Sequence, residues 1–273
     1  MKIKVMTYNV LYGLHNRDGN LILLDLARMR AVRNIVRAEK PDILGLTEAV
    51  YCEFWTSQDR NRIIRVDYEQ LFGLKHSYAT GFEQEWGSMI LSKFPILHAE
   101  RLQLGKNHRG ESVSAIRATL DVNGKRVHVD VVHPAPKISD NDRVTAFAPL
   151  LKTFTAPYLM IGDFNSLSEE DAYDRKKLIR EIPANGKEAR VVADRMLVRN
   201  LIPSVRSHGL EDTLPKNNRT HTIPTKSKGR EPKLRLDYIF ASRDFKVISS
   251  RVIKNKLTET ASDHYPVVAE LEF

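Results

Sequence analysis

The pattern of apolar and polar residues along the chain predicts strands that alternate with helices. Residues 3–10 form an apolar run that is typical of a buried strand, with Ile3 and Val5 on the face opposite Tyr8. Residues 28–39 have helical spacing, with Val32 and Ile35 facing inward and Arg30, Arg33 and Arg37 outward. Residues 168–200 are predicted to be helical and charged, and residues 203–233 to be a loop without regular structure. Because no internal repeat or linker is present, we expect one α/β domain over residues 1–273.

A hairpin is predicted in the middle of the chain. Residues 116–122 alternate apolar and polar side chains, and Asn123-Gly124 is typical of a type I′ turn. The return strand places Val127, Val129 and Val131 on one face, and His133 continues that face where Pro134 ends the pairing. The pattern therefore delivers an imidazole to the end of an apolar strand face, although a histidine hydrogen-bonded in the core would have the same pattern.

Polar side chains also stand at the ends of the other predicted strands. They are Asn9, Glu48, Asp163 and Asn165 in Gly162-Asp163-Phe164-Asn165, Asp237 in Leu236-Asp237-Tyr238-Ile239-Phe240, and Asp263 and His264 before the last strand, 267–272. A turn would explain Asn9, and a solvated strand end would explain Glu48 or Asp237. Asp163 and Asn165 are harder to explain structurally, because two polar groups at a buried strand end are costly unless they are engaged.

Taken in order, these motifs resemble the endonuclease/exonuclease/phosphatase superfamily of DNase I-like, metal-dependent phosphohydrolases. Two further segments support the resemblance: Gly87–Ile96 is similar to a conserved stretch of the family, and His133-Pro134-Ala135-Pro136 to the pancreatic-type deoxyribonucleases. The resemblance spans Asn9 to His264 and implies a four-layer α/β sandwich, in which two packed mixed β-sheets are flanked by helices. It also implies that the site lies where the strands named above end.

The resemblance assigns expected roles to these side chains. Asn9, Glu48 and Asp263 would be the metal ligands, and their oxygens suit Mg²⁺ or Mn²⁺. The implied catalytic residues are His133, Asp163, Asn165, Asp237 and His264. Asp163 would position or deprotonate the attacking water, Asn165 would hold a phosphate oxygen, and Asp237 would orient His264. Arg109 would contact the phosphate, although Arg117 is an alternative.

Composition narrows the cellular setting. The single cysteine, Cys52, excludes an internal disulfide and fits a reducing compartment. Residues 1–20 lack the apolar core of a signal peptide, and no run of about 18 apolar residues occurs. If Met1 is native, we expect a cytoplasmic protein without a transmembrane segment, and we expect a monomer.

The function predicted is divalent-metal-dependent hydrolysis of phosphoesters by in-line attack of water. The net charge of +9 favours nucleic acid as the substrate, ahead of small phosphate esters and of lipid head groups in a sphingomyelinase-like reaction. In the sphingomyelinase-like reaction, Phe54-Trp55 or Trp86 would contact the lipid. A catalytically silent binding module is a remote alternative. A Ser-His-Asp hydrolase is rejected, because the adjacent Ser262, Asp263 and His264 cannot line up as a triad.

One basic segment completes the prediction. Residues 216–235 carry seven lysines and arginines against the single acidic residue Glu231. We hypothesise that this segment binds phosphates beside the scissile bond, with a solvated loop as the alternative.

Overall fold

The computed structural model of the protein describes residues 1–18, 21–51, 66–80, 86–107, 110, 112–226 and 231–273. The strands are β1 (Lys2–Asn9), β2 (His15–Asp18), β3 (Leu21–Leu24), β4 (Ile43–Tyr51), β5 (His76–Ala79), β6 (Trp86–Ser92), β7 (Ile96–Lys106), β8 (Ser112–Val122), β9 (Lys125–Val132), β10 (Tyr158–Asp163), β11 (Leu210–Asp212), β12 (Asp237–Ser242), β13 (Lys246–Val252) and β14 (Val267–Glu272). The α-helices are α1 (Leu26–Glu39), α2 (Tyr68–Phe72), α3 (Asp140–Thr153), α4 (Arg175–Glu181), α5 (Gly186–Met196), α6 (Leu201–Ser207) and α7 (Thr258–Ala261). Short 3-10 helices cover Tyr12–Leu14 and Lys216–Asn218.

Two mixed six-stranded sheets form the centre of the molecule. The first has the strand order β13-β14-β1-β4-β6-β5 and the second β11-β12-β10-β9-β8-β7, while β2 and β3 pair separately as a hairpin. Strands β1 and β4 are parallel, as are β9 and β10, whereas β14 and β12 run antiparallel to β1 and β10. The predicted hairpin is present as β8 and β9, and Asn123 and Gly124 at its turn both have positive φ.

The sheets pack face to face and carry helices on their outer faces, which gives the four layers expected of the sandwich. Val5 and Ile43 of the first sheet are in the same buried cluster as Val129 and Ile161 of the second. On the outside of the first sheet, Val32 of α1 packs with Tyr8, and on the outside of the second, residues of α3 and α6 pack with β10 and β12. Alternate residues of β1 thus contact different layers, as the apolar pattern predicted.

The charged segment after β10 differs from its prediction. Helices occupy only 175–181 and 186–196 of residues 168–200, and the predicted loop contains α6, β11 and a 3-10 helix. The elements within the predicted loop have three to seven residues, too few for a period to show in the sequence. α6 and β11 are held by burial instead, since Leu201, Ile202 and Leu210 join the cluster beneath the second sheet.

The strand directions bring the polar strand ends to one end of the sandwich. The carboxyl ends of β1 and β4 lie beside the amino end of β14, and those of β9 and β10 beside the amino end of β12. The close approach of β10 to β9 needs glycine at position 162. Its φ is 143°, and a Cβ there would lie 2.0 Å from the Val132 carbonyl oxygen.

No helix among the described residues has both the length and the apolar character that crossing a membrane requires.

Candidate active site

Asn9, at the end of β1, joins the two sheets. Its side chain is fully buried, and its amide nitrogen donates to Glu48 Oε1 at 3.1 Å and to Asp163 Oδ2 at 3.2 Å. Its side-chain oxygen accepts a hydrogen bond from the backbone N–H of Leu11 at 3.0 Å. The buried Asn9 amide therefore holds the carboxylate of Glu48, from the first sheet, close to that of Asp163, from the second.

Glu48 reaches this position through an irregularity in β4. Its φ is 52°, and the pairing of β4 with β6 shifts register between Leu46 and Val50. Such a bulge turns a side chain away from the direction that regular pleating would give it. The Glu48 carboxylate also accepts the backbone N–H of Tyr12 at 3.2 Å, so both oxygens are held in place.

His133 follows β9 and faces the same carboxylates. Its Nε2 lies 3.6 Å from Asp163 Oδ2 and 3.9 Å from Glu48 Oε1. It is thus at the site rather than in the core, the alternative that its position on an apolar strand face had left open.

His264 and Asp237 form a buried pair. His264 Nδ1 lies 2.8 Å from Asp237 Oδ2, and its Nε2 lies 3.8 Å from Asp163 Oδ2. Burial by itself would lower the pKa of His264, but the carboxylates of Asp237, Asp163 and Asp263 outweigh it and raise the pKa to about 10. The ring is therefore a cation at neutral pH in this structure, with Nε2 directed at Asp163.

Asp163 lies at the centre of the site. Burial raises the pKa of its carboxyl above the ordinary value; the rings of His264 and His133 oppose the rise, and Asp237 adds to it. Asn165 is in the left-handed region with φ of 48°, and its backbone N–H donates to Asp163 Oδ1 at 2.8 Å. The Asn165 side chain donates to the Pro134 carbonyl at 2.8 Å, which leaves its second amide N–H for another acceptor.

The Ser262–His264 turn completes the site. The Ser262 hydroxyl donates to the Asn9 carbonyl at 2.7 Å, and its oxygen lies 3.3 Å from Asp263 Oδ1. Ser262 is only 1% exposed. A serine hydroxyl directed at a backbone carbonyl is a structural link between β1 and this turn, in agreement with the rejection of a serine nucleophile.

The donor atoms at this end of the sandwich fit a hard divalent cation. Glu48, Asp163 and Asp263 offer carboxylate oxygens, the chemistry that Mg²⁺ and Mn²⁺ prefer. The Asn9 amide oxygen accepts the Leu11 N–H in this structure, and its nitrogen faces Glu48 and Asp163. Asp163, Asp237 and His264 also form a compact group, with ligand atoms within 4.8 Å of one another. In that group, however, His264 Nδ1 is already bonded to Asp237. Glu48 lies outside that group, and its carboxylate is held by the Asn9 side chain and the Tyr12 N–H.

Comparison with known proteins agrees with this geometry. The model of the Endonuclease/Exonuclease/phosphatase family matches residues 6–264. The chain belongs to this family. Protein cwh43 of Schizosaccharomyces pombe is 31% identical over 141 residues, a match that covers 48% of this chain and 14% of that protein.

Two solved structures of similar fold cover the family member described here almost completely. An endonuclease/exonuclease/phosphatase from Bacteroides vulgatus has a TM-score of 0.68 at 15% identity, and the match covers 100% of this chain and 99% of that one. The 3′ phosphatase NExo from Neisseria, bound to a product DNA hairpin, has a TM-score of 0.67 at 20% identity and covers 99% and 100%. At these identities the likeness concerns the fold, which the two sheets and their helices share.

The structure describes only one of the two arginines predicted to contact the phosphate. Arg109 lies outside the described residues, as do Cys52, Phe54 and Trp55. Arg117, the alternative to Arg109, forms two hydrogen bonds with the buried Asp130, at 2.9 and 2.7 Å. Arg117 is thus a structural residue of the second sheet in this family member.

Three of the five described cations of the basic segment 216–235 form ion pairs. Lys216 and Arg219 pair with Glu170 at 2.9 and 2.8 Å. Arg235 is 2% exposed and pairs with Asp171 and Asp212 at 2.8 and 2.6 Å. The described residues therefore do not form a continuous phosphate-binding arm, because these three cations already have carboxylate partners. Lys228 and Arg230 lie outside the described residues.

Arg28 is a residue of the site region that the helical pattern did not reveal. Its guanidinium is buried and donates to the backbone carbonyls of Val10 and Leu11 at 2.8 Å, and to those of His15 and Ala261 at 3.2 and 3.1 Å. It thereby joins the end of β1 to the turn that carries Asp263. Residues 11–14 all have φ between 51° and 67°, a conformation that is strained outside glycine and needs such support.

We expect Arg28→Met to lower the stability of the protein by about 2–4 kcal/mol, because it leaves buried carbonyls without donors. We also expect weaker Mg²⁺ binding, since the Arg28-held loop presents the Leu11 and Tyr12 N–H groups to Asn9 and Glu48. Urea unfolding measures the first effect and calorimetric titration of the folded protein the second. Arg30→Met, on the exposed side of α1, is the control. A purely structural role would leave the Mg²⁺ affinity of the folded protein unchanged.

Proposed function

We propose that the protein hydrolyses phosphoesters in a divalent-metal-dependent reaction and that its substrate is nucleic acid. The observation that carries this proposal is the convergence of Asn9, Glu48, His133, Asp163 and the Asp237–His264 pair, with successive contacts of 2.8–3.9 Å. Their proximity places general acid–base groups, a cation and oxygen ligands around one point. That combination is what attack on a negatively shielded phosphorus requires.

The metal would be held by Glu48, with Asp263 and Asn9 contributing oxygens. When bound, it would neutralise negative charge that develops on the phosphate. The match with Protein cwh43 covers only 14% of that protein, so the similarity does not extend to the activity of the whole protein.

The protein groups would share the remaining work. Asp163 is buried, has a raised pKa and accepts hydrogen bonds from the Asn9 side chain and the Asn165 N–H, so it is suited to orient and deprotonate a water. Asp237 fixes the ring of His264 and keeps it cationic, so that its Nε2 can donate to a phosphate oxygen. The free amide N–H of Asn165 and the ring of His133 would bind other phosphate oxygens.

Two observations support nucleic acid as the substrate. The net charge of +9 favours association with polyanions. In addition, the Neisseria structure of similar fold holds a DNA product. Small phosphate esters and lipid head groups are the competing substrates, and the experiment below separates them.

A panel of single-stranded DNA, duplex DNA, RNA, a sugar phosphate and sphingomyelin vesicles, assayed with Mg²⁺ and with Mn²⁺, tests the substrate assignment. We expect the highest kcat/KM for a polynucleotide. Asp163→Asn serves as the inactive control, because it removes the proposed base at constant shape. A preference for the sugar phosphate or for sphingomyelin would overturn the assignment to nucleic acid but would remain consistent with metal-dependent phosphoester hydrolysis.

We further propose that residues 1–273 act as one monomeric domain in the cytoplasm. The single cysteine at position 52 supports a reducing compartment. Light scattering in solution tests the monomer directly, and a dimer mass would refute it.

A further inference from the structure

A cavity of about 390 Å³ lies between the segment before β12 and the segment after β10. Its cationic and hydrogen-bonding lining comprises Lys216, Arg219, Thr220, His221, Lys233 and Arg235. Glu170 and Asp171 also line the cavity, so the net charge that a ligand would meet there depends on which lysines and arginines already pair with these two carboxylates.

The acidic residues of the cavity are fully engaged. Asp171 receives Arg235 on both of its oxygens, at 2.8 and 3.1 Å. Glu170 Oε1 accepts Lys216 at 2.9 Å, while Oε2 lies 2.8 Å from Arg219. Burial by itself would raise the pKa of Glu170, but Lys216, Arg219 and Arg206 lower it to about 2. Together with Glu169 and Asp212, these two carboxylates balance the four cations that they contact and leave any further cation in surplus; the four cations are Arg206, Lys216, Arg219 and Arg235.

Lys233 and Lys254 are that surplus. Within the described part of the chain, neither ammonium forms an ion pair with a carboxylate. Lys254 is exposed, and its Nζ lies 2.8 Å from Thr220 Oγ1 and 3.0 Å from His221 Nδ1, two atoms of the cavity lining. Partial burial lowers the pKa of Lys254 to about 8; repulsion from Lys233 contributes, and Glu259 opposes the fall. An anion bound at Lys233, beside Thr220 and His221, would reduce this repulsion.

His221 adds a neutral donor to the same wall. Burial and the two lysines lower the pKa of His221 to about 4, so the ring is neutral. Both ring nitrogens lie near the Lys254 ammonium, Nδ1 at 3.0 Å and Nε2 at 3.3 Å, and the neutral ring keeps one N–H that can donate a hydrogen bond. A hydroxyl, an imidazole N–H and ammonium groups together form a donor set suited to phosphate oxygens.

The backbone of this wall is joined to the catalytic turn. The Thr222 carbonyl accepts the N–H of Tyr265 at 2.7 Å, and the Thr225 N–H donates to the Asp263 carbonyl at 3.1 Å. The Thr222 hydroxyl also accepts the N–H of Asp237 at 3.2 Å. The segment that follows the cavity residues Thr220 and His221 is thus hydrogen-bonded to the turn that carries Asp263 and to the strand that begins at Asp237.

We propose that this cavity binds a phosphate group other than the one being cleaved, through Lys233, Thr220 and His221, with Lys254 beside the latter two. This proposal rests on the proposed function only in that the neighbouring catalytic centre is taken to cleave a phosphoester. The second phosphate comes either from the same substrate, as in a polynucleotide, or from free phosphate in solution.

Binding is measured first without catalysis. Fluorescein-labelled trithymidylate is titrated in EDTA by fluorescence anisotropy against the wild type, Lys233→Ala/Lys254→Ala, and the control Lys246→Ala/Lys256→Ala, which removes the same charge at exposed positions. We expect the Kd of the first double variant to rise roughly tenfold, because hydrogen bonds to charged groups each contribute on that order. Its slope of log Kd against log salt should fall by about 1.4, since each single-strand phosphate contact contributes about 0.7. A double glutamine variant, of similar length, should behave in the same way. Equal Kd values for the two alanine double variants would overturn the proposal.

Kinetics then separate the sources of the phosphate. If it belongs to the substrate, Lys233→Ala/Lys254→Ala raises KM for trithymidylate and leaves bis(4-nitrophenyl) phosphate, which has one phosphate, unchanged. If it is free phosphate, millimolar inorganic phosphate alters turnover of bis(4-nitrophenyl) phosphate in the wild type but not in this variant. An unaltered KM together with no phosphate effect would contradict both sources. Failure of the wild type to hydrolyse either compound would refute the proposed function, while the anisotropy result would still decide the binding site.

Discussion

Alanine at His264 or at Asp237 is expected to lower kcat by about 10²- to 10⁴-fold, the range for loss of a positioned acid or base. The two side chains are 2.8 Å apart and both are buried, so each determines the state of the other. Without Asp237, burial would favour the neutral ring of His264, and the proposed donor to the phosphate would be lost. Steady-state kinetics on a phosphodiester measure this effect.

The double variant distinguishes a coupled pair from two independent residues. We expect Asp237→Ala/His264→Ala to be little worse than the poorer single variant, because groups that act as a unit are strongly non-additive. His128→Ala, in the second sheet and bonded to Thr119, is a control for loss of a histidine away from the site. Multiplicative losses would mean that the observed hydrogen bond has no part in catalysis.

The second large effect is expected at Glu48. Glu48→Gln keeps the shape of the side chain but removes the charge, so we expect Mg²⁺ affinity to fall at least about 100-fold. Even partners that only orient a metal ligand alter affinity by about 10- to 100-fold. The Mg²⁺ concentration that gives half-maximal activity should rise accordingly, with kcat partly recovered at saturation. Calorimetric titration supplies the binding constant without catalysis.

Glu211→Gln is the matched control, since Glu211 is exposed on β11 and belongs to the second sheet. Its Mg²⁺ affinity should equal that of the wild type. An unchanged Mg²⁺ affinity in Glu48→Gln would remove Glu48 from the ligand set and favour the group of Asp163, Asp237 and His264.

The strands that carry the site could be predicted from the sequence because their signals are local. Alternation in β1, the Asn-Gly turn between β8 and β9, and polar residues after apolar runs are properties of neighbouring residues. The convergence of those polar ends followed from the family resemblance, and the parallel pairing of β1 with β4 and of β9 with β10 shows how the strands achieve it.

The remaining features depend on contacts between distant residues. Arg28 differs from the exposed arginines of α1 only in what it meets, namely carbonyls of residues 10, 11, 15 and 261. In the sequence, Arg235 likewise resembles the other cations of the loop, yet it is buried and forms ion pairs with Asp171 and Asp212. Charge density along the chain cannot reveal such pairing, because the partners are 64 and 23 residues away.

The most direct test of the central claim is hydrolysis of bis(4-nitrophenyl) phosphate by the wild-type protein, first in EDTA and then after Mg²⁺ or Mn²⁺ is restored in excess. The account predicts no hydrolysis above background in chelator, and full recovery on addition of the metal to the wild type but not to Asp163→Asn. Undiminished hydrolysis in EDTA, or equal rates for the wild type and Asp163→Asn, would contradict it.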